Sequence, residues 1–228
     1  MAKTVAIIPA RGGSKRIPRK NIKFFYGKPL IVHSIERAFE SNIFDKIIVT
    51  TDDEMIASIA KEHGAVAYMR PNELADDFTS TQPVIDNVLE YLESIGESYD
   101  YYCTLYATAP LLQAKYLIEG FERLKGSDAI NAFSATSMPF PIQRTFKVDK
   151  NGRCEMFTPK FYLSRSQDLE EAYQDAGQFY WTKLGKKSDK IMFGEDSIPI
   201  ILPRHLVQDI DTLEDWERAE IMYEVLNR

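Results

Sequence analysis

The chain has 228 residues, 28 basic against 34 acidic, for a formal net charge of −6, with 44% hydrophobic and 27% charged side chains. This is the balance of a soluble globular protein with one large domain, or one domain and an appendage. It excludes the basic surface that non-specific nucleic-acid binding requires, and no run approaches the ~18 consecutive apolar residues of a membrane span.

The first predicted element is Thr4 to Ile8, a continuous β-branched run of the kind that makes a strand buried on both faces. Helical spacing of Ile31, Ile35, Ala38 and Phe39 follows, then a strand at Lys46 to Thr50. Asp52 and Asp53 open a helix that stops at Gly64, a residue type suited to ending helices. Residues 65–69 read as a strand, 82–95 as a helix with Pro83 in its first turn, 101–106 as a strand, 114–124 as a helix and 129–136 as a strand. This alternation predicts an α/β fold with βαβ crossovers and a mostly parallel sheet. Prolines at 139 and 141 then break the rhythm, and a hairpin is expected around Asp149 to Gly152. Residues 138–176 therefore read as an insertion between 1–137 and 177–228. Strands at 178–182 and 198–202 and a final helix carrying Leu213, Trp216, Ala219, Tyr223 and Leu226 complete the chain.

Two cysteines, Cys103 and Cys154, are too few for a disulfide framework and too far apart in sequence for a zinc motif. After Lys3 the N-terminus offers only a short apolar run and then five cations, unlike an export signal. A reducing, cytoplasmic setting is expected.

The loop after the first strand is the strongest signal. Between Arg11 and Asn21 it holds Arg11, Lys15, Arg16, Arg19 and Lys20, with Gly12 and Gly13 letting backbone N–H groups approach an anion. In open parallel sheets, ligands bind beyond the carboxyl ends of strands, where this loop emerges. Neither Gly-x-Gly-x-x-Gly nor a Walker A lysine is present. A solvated basic turn is the plain alternative; a polyphosphate site fits the concentration of charge better. Near the other end, Asp209 and Asp211 flank Ile210, and residues two apart in extended backbone share a face. They suit one hard divalent cation, although Asp211 or Thr212 with Asp215 also reads as a helix cap.

The stretch Ala10-Arg-Gly-Gly-Ser-Lys-Arg-Ile-Pro-Arg-Lys-Asn21 resembles the signature loop of the CMP-sialic acid synthetase family of cytidylyltransferases. The likeness extends to Thr50–Asp53, Arg70 to Ala75, Thr108 to Pro110 and Asp209-Ile-Asp211. It implies a Rossmann-like, mostly parallel three-layer sandwich of the nucleotide-diphospho-sugar transferase type. It further implies that CTP and a nonulosonic acid are joined with release of pyrophosphate, making a donor for flagellin or surface-glycan glycosylation. By this resemblance Arg11 and Lys20 grip the triphosphate, with Ala10, Gly12, Gly13, Ser14 and Asn21 around phosphate or ribose. Arg70 and Thr81 read the cytosine, and Asp209 and Asp211 hold Mg²⁺; Arg11, Lys20 and Asp211 are the residues expected to carry the chemistry. The insertion is where the family builds a dimer arm, so a homodimer is implied, with Met138, Phe140, Phe146 and Phe157 as anchors.

Sialic acid enzymes of the family carry Gln-Pro where this chain has Tyr106-Ala107. Pro139 to Arg144 and Arg165 to Trp181 resemble the pseudaminic-acid-activating branch instead. Pseudaminic acid ends in a methyl group where sialic acid carries a glycerol tail, and an aromatic wall of Tyr106, Phe179 and Tyr180 would bury it. Arg165 or Gln167 is expected on the polar side of the sugar, and Gln178 among the other residues that contact it. Activation of a sialic or legionaminic acid is the nearest alternative. A metal-dependent glycosyltransferase is more distant, because its Asp-x-Asp typically sits mid-chain and it lacks the basic loop.

Overall fold

Strand β1 (Thr4–Pro9) is buried along its length: Val5 and Ile7 face one side of the sheet, Ala6 and Ile8 the other. Such a strand needs cover on both faces, and the fold supplies it. A computed structural model of the chain describes residues 2–76, 78–185 and 192–227. After β1 come a short hairpin, β2 (Phe24–Phe25) and β3 (Lys28–Pro29), then α1 (Leu30–Ser41), β4 (Lys46–Thr51), α2 (Glu54–Glu62) and β5 (Val66–Met69). Next are α3 (Thr81–Ser94), β6 (Tyr101–Leu105), α4 (Ala114–Lys125) and β7 (Asn131–Ser137). The excursion carries the hairpin β8 (Phe146–Val148) and β9 (Cys154–Met156), and β10 (Tyr173–Lys183), β11 (Ser197–Leu202) and α5 (Leu213–Leu226) follow.

Seven strands form the main sheet in the order β11-β7-β10-β6-β1-β4-β5. All neighbours pair in parallel except β10, which is antiparallel to both β6 and β7. Helices α1, α2 and α4 cover one face through Ile31, Ile35, Ile56, Leu117 and Phe121. On the other face α3 packs Ile85, Val88 and Leu92 against Val5, Ile7 and Tyr102. This is the expected three-layer α/β sandwich. A third cluster of Ile17, Phe25, Leu30, Ile210, Trp216 and Ala219 joins the basic loop and the β2–β3 hairpin to α5. Among the described residues no helix is long and apolar enough to cross a membrane.

The excursion differs from expectation at its far end. The chain rejoins the sheet at Tyr173, opposite Ser137, rather than at 177. Tyr173, Gln174 and Asp175 are exposed, so they lack the apolar run that marks a buried strand.

Candidate active site

Strands β1, β4, β5 and β6 run in parallel, so their carboxyl ends open on one edge of the sheet. A cleft of about 450 Å³ lies there, lined by residues including Arg11, Arg16, Asn21, Arg70, Thr81 and Tyr106. Its size suits a nucleotide.

The basic loop is built onto this edge by carboxylates. Ala10 N–H donates to the Thr50 carbonyl at 3.0 Å, continuing the β1–β4 pairing. Gly12 N–H donates to Asp52 Oδ1 at 3.0 Å. A Cβ on Gly12 would stand 2.7 Å from Asp53 Oδ2, so only glycine permits this close approach. The Gly12 N–H thus holds the loop to Asp52 rather than standing open for phosphate, whereas Gly13 has open space around it. Asp53 caps α2 by accepting from the N–H groups of Met55 and Ile56, and also receives Arg19 Nη2 at 3.0 Å. Asn21 is buried and donates from Nδ2 to the Arg11 carbonyl at 2.9 Å, bracing the loop while lining the cleft. Ser14 lies at the loop's tip, its N–H on the Gly12 carbonyl.

Four of the five cations are held by partners in three places. Arg19 is turned to Asp53, and Arg11 Nη1 donates to the Asp76 carbonyl at 3.0 Å on the cleft wall. Arg16 and Lys20 meet Asp211 Oδ1 at 2.9 Å and 3.3 Å. Lys20 Nζ also donates to the Ile210 carbonyl. The two ends of the chain therefore converge at one place. Thr212, not Asp211, caps α5: Asp215 N–H donates to Thr212 Oγ1, and Thr212 N–H donates to Asp215 Oδ2. That leaves the Asp211 carboxylate available to the cations. Partial burial, and then the neighbouring Asp211, push the Asp209 carboxyl above its ordinary range.

Arg70 is buried on the cleft wall, one guanidinium N–H given to the Thr50 carbonyl and its Nε without a partner among the described residues. Thr81 opens α3, so the positive end of that helix dipole faces the cleft. A second cleft of about 290 Å³ adjoins the first and shares Thr81 and Tyr106 with it. Its walls include Tyr102, Thr104, Asp175, Tyr180 and Phe193.

The expected sugar residues divide. Tyr106 lines both clefts, but Phe179 is fully buried beside Gly120, on the sheet face opposite Tyr180. Strand alternation excludes Phe179 from the aromatic wall, and Tyr180 stands in its place. Gln178 is buried too; its Nε2 donates to the Leu206 carbonyl, tying β10 to the segment that leads to Asp209. Arg165 and Gln167 lie exposed on the excursion, Arg165 paired with Asp168 at 2.7 Å, and neither lines these two clefts. Conversely, Asp52 and Arg16 acquire roles that spacing alone did not assign. The signal for Asp52 was its place immediately after a strand end.

Comparison with known proteins bears on the family of the chain. A family model described as cytidylyltransferase matches residues 5–183. The chain is 47% identical to the pseudaminic acid cytidylyltransferase of Campylobacter jejuni, over 98% of this chain and 97% of that one. It is 31% identical to the N-acylneuraminate cytidylyltransferase of Escherichia coli O18:K1:H7, over 99% of this chain and 53% of the relative. Among solved structures, CMP:2-keto-3-deoxy-manno-octonic acid synthetase complexed with CTP superposes with a TM-score of 0.67 at 18% identity, over 99% of this chain and all of that one, a likeness of fold. With a basic, nucleotide-sized cleft at the expected sheet edge and a family model spanning most of its length, the chain belongs to the cytidylyltransferase family.

Proposed function

We propose that this enzyme activates pseudaminic acid, converting CTP and pseudaminate into CMP-pseudaminate and pyrophosphate in the cytoplasm. The observation that carries the reading is the junction of two clefts at Thr81 and Tyr106, one basic and nucleotide-sized, the other walled by tyrosines. The triphosphate lies along Arg11, Arg16 and Lys20, and the base sits toward Arg70 and Thr81. The sugar's anomeric hydroxyl attacks the α-phosphorus in line, its proton passing to solvent as the O–P bond forms, and pyrophosphate leaves toward the basic loop. Positioning and charge neutralisation supply most of the catalysis in such transfers. In the free enzyme Arg16 and Lys20 are engaged by Asp211, so an arriving triphosphate competes for them and releases that carboxylate.

Asp209 and Asp211 would hold Mg²⁺. Among the described residues no three His, Cys, Asp or Glu side chains cluster as a metal cage. Two carboxylates completed by substrate phosphate oxygens are a donor set that suits this ion. Bound there, it would supply charge neutralisation for the phosphates and a lowered pKa for the attacking hydroxyl.

The aromatic pair Tyr106 and Tyr180, ring centroids 5.2 Å apart, favours a sugar with a methyl terminus over a glycerol tail. The exposed side chains of Phe140, Phe146, Phe157 and Leu163 on the excursion suit a second copy of the chain. In that homodimer the arm, with Arg165 and Gln167, reaches over the partner's cleft.

Pyrophosphate release, measured with each nucleoside triphosphate against a panel of nonulosonic acids with and without Mg²⁺, tests the reading. CTP with pseudaminate and Mg²⁺ is expected to give the highest kcat/KM. Equal values for pseudaminate and N-acetylneuraminate would end the claim of sugar specificity.

A further inference from the structure

Strand β10 is irregular where it borders the tyrosine-walled cleft. Its register against β7 shifts between Asp175 and Tyr180, and Gly177 in that bulge has φ +62. Asp175 holds the bulge with both oxygens: Oδ1 accepts Gly177 N–H at 3.0 Å and Oδ2 accepts the Tyr180 hydroxyl at 2.5 Å. Tyr106 stands next in the row and its hydroxyl interacts with that of Tyr180. Asp175, Tyr180 and Tyr106 all line the cleft.

The Tyr180 proton is committed to a carboxylate that accepts only. Burial, reinforced by Asp175, pushes the phenol far above the usual tyrosine range, so it keeps that proton. The Tyr180 proton therefore points toward Asp175, and the remaining lone pair of that phenol points away from it.

We propose that Asp175 is a positioning residue for sugar recognition: by fixing the Tyr180 proton it makes the phenolic wall of the second cleft a hydrogen-bond acceptor, suited to an acylamino N–H of the sugar. The proposal rests on the reading of that cleft as the sugar site. An amide N–H is an obligate donor, and facing it with a second donor would leave both unpaired, a cost that a hydroxyl, which both donates and accepts, avoids. Acylamino acids and hydroxyl-only keto acids should thus respond differently when the polarity is reversed.

Asp175→Asn performs that reversal at constant shape. The asparagine Oδ1 retains Gly177 N–H, its Nδ2 donates to the Tyr180 oxygen, and the Tyr180 hydroxyl is turned toward the cleft as a donor. Steady-state kinetics on wild type, Asp175→Asn, Tyr180→Phe and the double variant, with pseudaminate and with 2-keto-3-deoxy-manno-octonate, read the result. Asp175→Asn is expected to raise KM for pseudaminate about tenfold while KM for CTP stays put, and to change the octonate value far less. In the Tyr180→Phe background Asp175→Asn should add nothing, because it acts through that hydroxyl. An unchanged pseudaminate KM in Asp175→Asn, equal losses for both acids, or additive losses in the double variant would each overturn the inference. Wild-type enzyme that transfers cytidylyl to no acylamino acid would instead overturn the underlying reading, and is recognised without any variant.

Discussion

Lys20 and Asp211 are 191 positions apart in the chain and meet at 3.3 Å, with Arg16 on the same carboxylate oxygen. Lys20 is mostly enclosed, its side chain 16% exposed, so its charge acts in a medium of lower polarity than water. On the proposed reading, replacing it removes a fixed positive charge from the triphosphate path, and replacing Asp211 removes one of the two carboxylates. Lys20→Ala and Asp211→Ala are each expected to lower kcat/KM for pyrophosphate release by a hundredfold or more, about the effect of deleting a preorganised charge. Thermal unfolding should show both variants folded, since Thr212 and Asp215, not Asp211, hold the start of α5. Turnover near wild type in either variant would refute the assigned roles.

The β2–β3 hairpin, α1 and α5 form one aromatic assembly. Phe25 lies 5.4 Å from the rings of His33, Trp216 and Tyr223, and Lys23 sits 4.2 Å over Trp216. His33 Nε2 donates to the Phe25 carbonyl at 2.9 Å, and burial lowers its pKa from 6.5 to about 4. The unfolded chain takes up this proton near pH 6.5, whereas the folded chain resists it down to about 4. The contribution of His33 to stability is therefore complete above pH 6.5 and declines as pH falls toward 4, by about 3 kcal/mol in total. Urea midpoints measured from pH 7 to 4.5 should fall for wild type and fall less for His33→Gln, which keeps a donor for the Phe25 carbonyl. Parallel slopes would sink this account. This assembly also marks where the sequence stops being readable. The continuous apolar run from Val5 to Ile8 and the helical spacing of Ile31, Ile35 and Ala38 along α1 declare their elements locally. The partners of Phe25 lie as far off as Tyr223, and no local pattern encodes them. The same limit separated Phe179 from Tyr180: both are aromatic in one strand, and only the register against β6 and β7 shows which faces the cleft. Asp52 was visible as a residue, yet its tie to Gly12 needed the loop to fold back onto β4.

For the whole molecule, the excursion carries an unusual share of exposed apolar surface. Phe140 is 77% exposed and Leu163 88%, and a monomer in water gains nothing from displaying them. Sedimentation equilibrium should report a dimer, and Phe146→Asp with Phe157→Asp should shift it to monomer and lower activity if the arm reaches the partner's cleft. A concentration-independent monomer in wild type would count against the assembly. The antiparallel strand β10 has a further consequence for biosynthesis. Strands β5, β4, β1 and β6 are all complete by Leu105, but the neighbour that seals the open side of β6 emerges from the ribosome only at residues 173–183. Until then the nascent chain presents unsatisfied amides along β6, a template for adventitious strand pairing. Translation must run through the whole arm before the sheet is closed, which makes premature stops between 106 and 172 the truncations most prone to aggregate.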